Sequence, residues 1–258
     1  MPEKRLEKIA KAYFESDQVV EHYFRESQRI GLWKSEDRII QDSFLKNESL
    51  MDLGCGTGRI AFAMEELGYK RLYAVDYSVG MIEAAQLVAR SLGSKVKLLA
   101  ADARALPFEN GCFDGIIFGF NGLFMIPNLA DRKQALDEIF RVLKPGGRFI
   151  CTGHDRNLGN QRVHWTLERS RWKENQADHA EKYEFGDVVA ETELGSMYIH
   201  STTETEALDL LNSAGFVNVQ SWLRRELGNE GPEVRQFSDE CRFWKAIKTS
   251  SSQIKGPT

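Results

Sequence analysis

The 258-residue sequence has no apolar run close to the roughly 20 residues that a membrane-spanning helix needs. Its first residues, MPEKRLEKIAKAYF, lack the apolar core of a secretion signal, so we do not expect export. Its four cysteines lie far apart with no paired spacing: Cys55, Cys112, Cys151 and Cys241. This usage predicts reduced thiols in a cytoplasmic protein, with neither disulfides nor a zinc site.

Long runs of basic residues are also missing. The net charge is −4 and no segment resembles an RNA-binding motif, so we do not expect a nucleic-acid partner. The histidines His22, His164 and His179 have no acidic neighbours at ligand spacing, which predicts that there is no metal site. With 42% hydrophobic residues the chain can form a globular core, and we expect a monomer or homodimer without a membrane partner.

Short apolar strands and amphipathic helices alternate from residue 49 onward. This alternation predicts an α/β fold with a doubly wound, mainly parallel sheet of seven strands, whose last two strands form an antiparallel pair. The predicted strands are 49–53, 71–76, 96–102, 112–120, 148–153, 216–222 and 241–247, and the predicted helices are 57–68, 79–92, 129–143 and 204–214.

Two regions depart from that alternation. Residues 1–46 have helical spacing, with Ser35 as a candidate N-cap, and we expect a helical lid. Residues 155–203 carry many charges and short turns, which predicts a partly helical, hairpin-containing substrate cap inserted between the fifth strand and the last helix. A ligand-binding core (47–154), the rest of the core sheet (204–248) and a disordered tail (249–258) complete the expected organisation.

The segment LMDLGCGTG (50–58) joins an apolar strand to a glycine-rich turn. Asp52 lies near the end of the strand, and Gly54, Gly56 and Gly58 follow at alternate positions. Glycine adopts positive φ without a steric penalty, so such a turn lets the backbone approach a ligand closely. Strand, glycine turn and helix form the place where an open α/β sheet binds a nucleotide-like ligand, although close helix–strand packing also uses such glycines.

The spacing of the glycines separates two kinds of ligand. A dinucleotide site needs a glycine or alanine three positions after the second glycine; with Gly56 as the second glycine that position is Arg59, and with Gly58 it is Ala61, which fits only loosely. Acids end the next two strands: a carboxylate at Asp76 can accept hydrogen bonds from ribose hydroxyls, and one at Asp102 can hold an adenine amino group. Each acid also has a structural alternative: Asp76 could be the N-cap of the next helix, and Asp102 could be a turn residue.

Five segments follow one another in the order and spacing of a known family: LMDLGCGTGR (50–59), VDYSVGMI (75–82), AADARALPF (100–108), FDGIIFGFNGL (113–123) and LKPGGRF (143–149). Together they resemble the core of the class I S-adenosylmethionine-dependent methyltransferases, in particular the small-molecule, type 11-like enzymes. The resemblance implies a Rossmann-like fold, S-adenosylmethionine as cofactor, S-adenosylhomocysteine as product and a small-molecule acceptor.

The resemblance also implies roles for individual residues around the methionine, ribose and adenine parts of the cofactor. Some of these residues also fit a purely structural role: Tyr77 and Met81 could pack in the core, and Cys55 could be a small residue in a tight turn. The implied cofactor-binding residues are Asp52, Gly54, Cys55, Gly56, Gly58, Asp76, Tyr77, Met81, Asp102, Ala103, Phe118, Asn121 and Trp33.

Catalytic residues are harder to assign from the sequence. Methyl transfer from a sulfonium is an in-line displacement, so the protein mainly supplies alignment and a dry site. A general base is needed only where the acceptor loses a proton as it attacks. The candidates near the expected acceptor are His154, His200 and Tyr13, each of which also fits a structural role.

Two other functions fit parts of the pattern. An NAD(P)-dependent oxidoreductase would also use Asp76 to bind a ribose, but the third glycine of its fingerprint is missing. A non-catalytic methyltransferase-like binding protein would share the fold, yet here the glycine turn is complete. The sequence therefore favours an S-adenosylmethionine-dependent methyltransferase.

Overall fold

A computed structural model describes residues 2–159, 161–173 and 184–249. Three helices come first: α1 (Pro2–Phe14), α2 (Asp17–Ile30) and α3 (Lys34–Ser43). The prediction that Ser35 caps α3 is wrong, because Trp33 holds the cap position. The backbone N–H of Ser35 instead donates to Glu230 at 2.9 Å, so a side chain from the far end of the chain satisfies this helix end.

Nine strands and seven further helices follow in the described residues. The strands are β1 (Ser49–Leu53), β2 (Arg71–Asp76), β3 (Lys97–Ala100), β4 (Phe113–Phe118), β5 (Leu143–Gly153), β6 (Asp187–Thr192), β7 (Gly195–His200), β8 (Phe216–Leu223) and β9 (Arg242–Lys248). The helices are α4 (Arg59–Glu66), α5 (Val79–Leu92), α6 (Leu129–Val142), α7 (Gln161–Lys173), α8 (Glu204–Ser213), α9 (Arg224–Leu227) and α10 (Pro232–Phe237), with a short 3-10 helix at Gly122–Met125.

Seven of the strands form one sheet in the order β3-β2-β1-β4-β5-β9-β8. The neighbours from β3 to β5 are parallel, and β9 is antiparallel to both β5 and β8. This confirms the predicted α/β fold, a doubly wound seven-stranded sheet with an antiparallel strand near the C-terminus. None of the helices that the structure describes is long and apolar enough to cross a membrane.

Helices cover both faces of the sheet. Along β1, Met51 and Leu53 join a core shared with α6 and α8, whereas Leu50 joins a core shared with α3, α4 and α5. Successive side chains of a strand point to opposite faces, so a continuous apolar strand needs helices on both sides. The carboxyl ends of β1 to β4 therefore meet at one edge, where open α/β sheets bind their ligands.

The start of the fifth strand differs from the prediction. The sequence predicts a helix that ends at residue 143 and a strand at 148–153, but β5 already begins at Leu143. Leu143 pairs with Phe113, and the register then shifts before Gly115 pairs with Arg148. The positive φ of Gly146, +78°, accommodates this bulge, so the strand continues along β4.

The inserted region contains a helix and a hairpin where the structure describes it. α7 is followed, after residues 174–183 outside the described part, by the antiparallel pair β6–β7. β7 packs against α1, which joins this hairpin to the N-terminal helices. The division into lid, core and cap remains a prediction, and the predicted disordered tail falls, apart from residue 249, outside the described residues.

Candidate active site

The turn after β1 has a backbone that glycine adopts most readily. Gly54, Gly56 and Gly58 have φ values of +65°, +54° and +91°. A Cβ at Gly54 would lie 2.6 Å from the ring of Phe118, whereas no atom lies within 4 Å of a Cβ built at Gly56. The turn therefore packs tightly on the end of β4 and has open space beside Gly56.

A cavity of about 620 Å³ lies at the carboxyl ends of β1 to β4. Its size is typical of a small-molecule site. Most of the predicted cofactor residues line it: Asp52, Gly54, Cys55, Gly56, Asp76, Tyr77, Met81, Asp102, Ala103 and Phe118.

Two acids lie beside the glycine turn, Asp52 buried and Asp76 partly buried. Asp52 accepts a hydrogen bond from the backbone N–H of Ala61 at 3.0 Å, and Asp76 accepts from the N–H groups of Gly56 and Ser78, both at 2.8 Å. Burial raises the pKa of Asp52 to about 8 and raises the pKa of Asp76, although these hydrogen bonds and one from the backbone of Tyr77 oppose the effect. Asp76 thus shapes the turn, and of the about four lone-pair sites of its carboxylate about one remains for a ligand.

Asp102 is engaged by Arg104, a residue that the sequence analysis did not assign. The Nε and Nη2 atoms of Arg104 donate to Asp102 at 3.0 and 2.8 Å, and Nη1 donates to Glu7 of α1 at 3.2 Å and to Asp131 at 2.7 Å. Burial alone would raise the pKa of Asp102, but the hydrogen bonds from Arg104 lower it overall. A ligand at Asp102 would share this carboxylate with an arginine that also holds α1.

One end of the cavity is aromatic, and most of its residues were not predicted from the sequence. Phe14, Tyr23, Phe120 and Phe237 line this end, which we call the aromatic end. Phe120 stacks on Phe237 with ring centroids 5.3 Å apart, and Tyr23 meets both rings edge-on. Burial raises the pKa of Tyr23, so its hydroxyl stays protonated at neutral pH. The four residues come from α1, α2, the end of β4 and α10, so no local motif contains them.

Three predicted cofactor residues lie behind the cavity wall. Gly58 is the N-cap of α4, and Trp33 is 2% exposed with its ring edge-on to Phe120. Asn121 is 3% exposed, and its Nδ2 donates to Nε2 of His154 at 3.3 Å. We expect these residues to support the lining residues, and their direct contact with a cofactor stays a prediction.

The predicted catalytic residues His154 and Tyr13 also lie outside the lining of the cavity. Burial lowers the pKa of His154, so its imidazole is neutral and accepts the hydrogen bond from Asn121. Tyr13 is buried and meets the ring of Phe14 edge-on, and it is Phe14 that reaches the cavity. Neither side chain therefore lines the cavity, and a catalytic role for either residue stays a prediction.

His200, the third catalytic candidate, belongs to a buried polar group in the β6–β7 hairpin. Its Nδ1 lies 2.8 Å from Oδ1 of Asp187, and the hydroxyl of Tyr198 donates to the same oxygen at 2.7 Å. Glu184 lies close enough to complete a metal-like triad, but its carboxylate pairs with Arg132. Because this guanidinium disfavours a bound cation, we interpret the group as a network that holds the hairpin. The expected absence of a metal stays a prediction.

Comparisons with known proteins match the geometry of the site. The family model described as a methyltransferase domain matches residues 51–151. A demethylmenaquinone methyltransferase of Lactiplantibacillus plantarum is 34% identical over 144 residues, which cover 52% of this chain and 59% of the relative. One from Anoxybacillus flavithermus is 26% identical over 85% of this chain and 92% of the relative. A SAM-dependent methyltransferase structure from Methanosarcina mazei superposes with a TM-score of 0.66, at 24% identity, over 83% of this chain and 98% of the other.

These matches cover only part of each curated relative. The chain covers between 40% and 60% of the length of the first five, so the matches alone do not assign the substrates of these relatives to this chain. The matched segment, residues 51–151, contains the glycine turn, Asp76, Asp102 and the end of β4, which line one part of the cavity. Residues 51–151 are therefore similar to a methyltransferase domain, and the solved structure shares its fold with most of this chain.

Proposed function

We propose that the protein transfers a methyl group from S-adenosylmethionine to a small, apolar ring compound. The observation that carries the proposal is the cavity itself, which joins a glycine turn with two acids to an aromatic end. The first part suits a nucleoside with an amino-acid tail, and the second suits an apolar acceptor. Both parts open into one space, as transfer between two bound molecules requires.

The residues fit the cofactor. The open space at Gly56 lets a ligand approach the backbone, and Asp76 lies beside it as an acceptor for a ribose hydroxyl. Asp102 and Ala103 line the same wall, where an adenine edge would find both an acceptor and a backbone N–H. Asp52 lines the cavity with Gly54, and the ammonium of the methionine moiety would favour the ionised form of Asp52, which burial alone disfavours.

The acceptor is proposed from the lining and from the relatives. Met125, Ile126 and Pro127 add further apolar surface to the cavity lining. The relatives named demethylmenaquinone methyltransferases suggest a ring of the naphthoquinone type. Because methyl transfer needs a nucleophile, we infer that the acceptor is the electron-rich hydroquinone form.

S-adenosylmethionine, once bound, would supply the sulfonium methyl; an acceptor ring carbon would provide the electron pair of the new C–C bond, the C–S pair would leave with S-adenosylhomocysteine, and the ring proton would pass to bulk solvent after the transfer. The protein's own residues align the two molecules and exclude water from between them. Tyr23, protonated because burial raises its pKa, can donate a hydrogen bond to an acceptor oxygen. None of His154, His200 and Tyr13 is needed as a base in this arrangement.

The N-terminal helices form the lid in this proposal, since Phe14 and Tyr23 line the cavity. The part of 155–203 that the structure describes contributes no lining residue, so its role is to hold α1 through β7. We further propose a cytoplasmic protein, acting as a monomer or homodimer, that takes an apolar small molecule from solution or from a carrier.

The proposal is tested by calorimetric titration of the purified protein with S-adenosylhomocysteine, with NADH as a competitor. Saturable binding of S-adenosylhomocysteine that NADH does not displace is expected. Displacement by NADH would favour an oxidoreductase, and absence of S-adenosylhomocysteine binding would refute the proposal. Binding without transfer to any compound of a metabolite extract would favour the non-catalytic alternative.

A further inference from the structure

The turn after β4 contains two successive non-glycine residues in the left-handed region of φ. Phe120 has φ +46° and Asn121 has φ +62°. Asparagine tolerates this conformation, but a bulky side chain such as phenylalanine rarely adopts it. Glycines stand close on both sides, at Gly119 and Gly122, yet the strained position itself carries an aromatic ring. A strained residue of this kind persists where the surrounding structure fixes it, and it often marks a functional position.

Hydrogen bonds hold this turn from behind the cavity. The backbone N–H of Asn121 donates to Oγ1 of Thr152 at 2.9 Å, and its side chain donates to the neutral imidazole of His154 at 3.3 Å. Both partners lie at the end of β5, and Thr152 and Asn121 are buried. This network supports the left-handed backbone, with the imidazole of His154 as the acceptor for the side chain of Asn121.

The ring of Phe120 is fixed in orientation by three aromatic neighbours. Tyr23 and Trp33 meet it edge-on, with centroids 6.0 and 5.8 Å away, and Phe237 stacks on it at an interplanar angle of 24°. Phe120 is nevertheless only partly buried, because it also lines the cavity. A residue retained only for packing would not need a strained backbone to keep part of its ring at a cavity surface.

Phe120 also lies next to the methyl-donor side of the cavity. Phe118, two residues earlier, packs under Gly54 of the cofactor turn, and both rings line the same space. A planar compound that stacks on Phe120 would thus be held at a fixed distance from the cofactor turn. Fixed distance and orientation are what an in-line displacement needs from a protein.

We propose that Phe120 is the specificity-determining residue of the acceptor site, and that a planar aromatic acceptor stacks on its ring. The aromatic end then binds a flat hydroquinone more tightly than an aliphatic acceptor of equal size, because offset stacking between two aromatic rings adds to the free energy of binding. This inference rests on the proposed methyl transfer, and it adds the shape of the acceptor and the residue that recognises it.

The test measures the affinity of a naphthalene hydroquinone for the protein saturated with S-adenosylhomocysteine, under reducing conditions. Phe120→Leu is expected to weaken binding of the hydroquinone by at least about tenfold, because stacking area and orientation are lost. Binding of S-adenosylhomocysteine should change by less than about twofold, and Phe120→Tyr should restore hydroquinone binding. Phe140→Leu, in a partly buried aromatic contact with Phe216 away from the cavity, is the matched control.

A second variant separates recognition from folding. Phe120→Gly relieves the left-handed strain and removes the ring, so it should fold but bind the hydroquinone no better than Phe120→Leu. The inference is overturned if hydroquinone affinity is unchanged in both variants, or if S-adenosylhomocysteine affinity falls by the same factor. Failure of the wild-type protein to bind S-adenosylhomocysteine would instead refute the proposed function.

Discussion

Replacement of Asp76 probes the cofactor side of the cavity most sharply. Each of its oxygens accepts a backbone N–H, that of Gly56 or that of Ser78, the backbone of Tyr77 bonds the same carboxylate, and about one lone-pair site is left for a ribose hydroxyl. Asp76→Asn keeps the size of the side chain but removes the charge and turns one acceptor into a donor, so one of these backbone N–H groups also loses its acceptor. A hydrogen bond to a charged group contributes about 1.5 to 3 kcal/mol, so loss of one ribose contact should raise the Kd about 10- to 150-fold.

The assay is calorimetric titration with S-adenosylhomocysteine, supported by thermal unfolding to show that the variant folds. Asp137→Asn, on the exposed side of α6, serves as the matched control and should leave the Kd unchanged. Asp76→Ala should lose at least as much affinity, because it releases the N–H groups of both Gly56 and Ser78. An Asp76→Asn variant within twofold of the wild-type Kd, or an equal loss for free adenine, would refute the ribose assignment.

Three further predictions concern other parts of the site. Gly54→Ala should lower the melting temperature more than Gly56→Ala, because only the first places a Cβ against Phe118; equal losses would contradict this packing. Arg104→Ala should speed hydrogen exchange in α1, since it removes the ion pair with Glu7; unchanged exchange would show that the pair does not hold the helix. Burial raises the pKa of Asp52 from 3.8 to about 8, so its contribution to stability is full below about pH 4 and is lost as the pH rises through about 8, by at most about 6 kcal/mol. Asp52→Asn should therefore gain in melting temperature relative to wild type between about pH 5 and pH 8, and a pH-independent difference would contradict the raised pKa.

The sheet and the cofactor-binding residues could be predicted because each depends on a short segment of the sequence. A buried strand, the turn at Gly54–Gly58 and the acids that end the next strands each lie within a few residues. Parallel strands then bring these short segments to one edge of the sheet without further information. Arg104 had a local signal too, since it follows Asp102 by two residues, but its pairing with Glu7 depends on how α1 packs.

The acceptor side could not be predicted because it is assembled from distant segments. Phe14, Tyr23 and Phe237 meet only after both ends of the chain fold over the sheet. Glu230, which satisfies the start of α3, acts across 195 residues for the same reason. His154 was a reasonable candidate at the end of a strand, but its ring turns away from the cavity and toward Asn121, and sequence alone does not specify that direction.

The central claim is that one cavity binds S-adenosylmethionine beside an apolar ring acceptor and allows methyl transfer between them. Its most direct test is incubation of the protein with methyl-labelled S-adenosylmethionine and a naphthalene hydroquinone, followed by mass spectrometry. The account predicts a ring-methylated product that carries the label, formed together with S-adenosylhomocysteine. Tight binding of the cofactor with no label in the hydroquinone would contradict it.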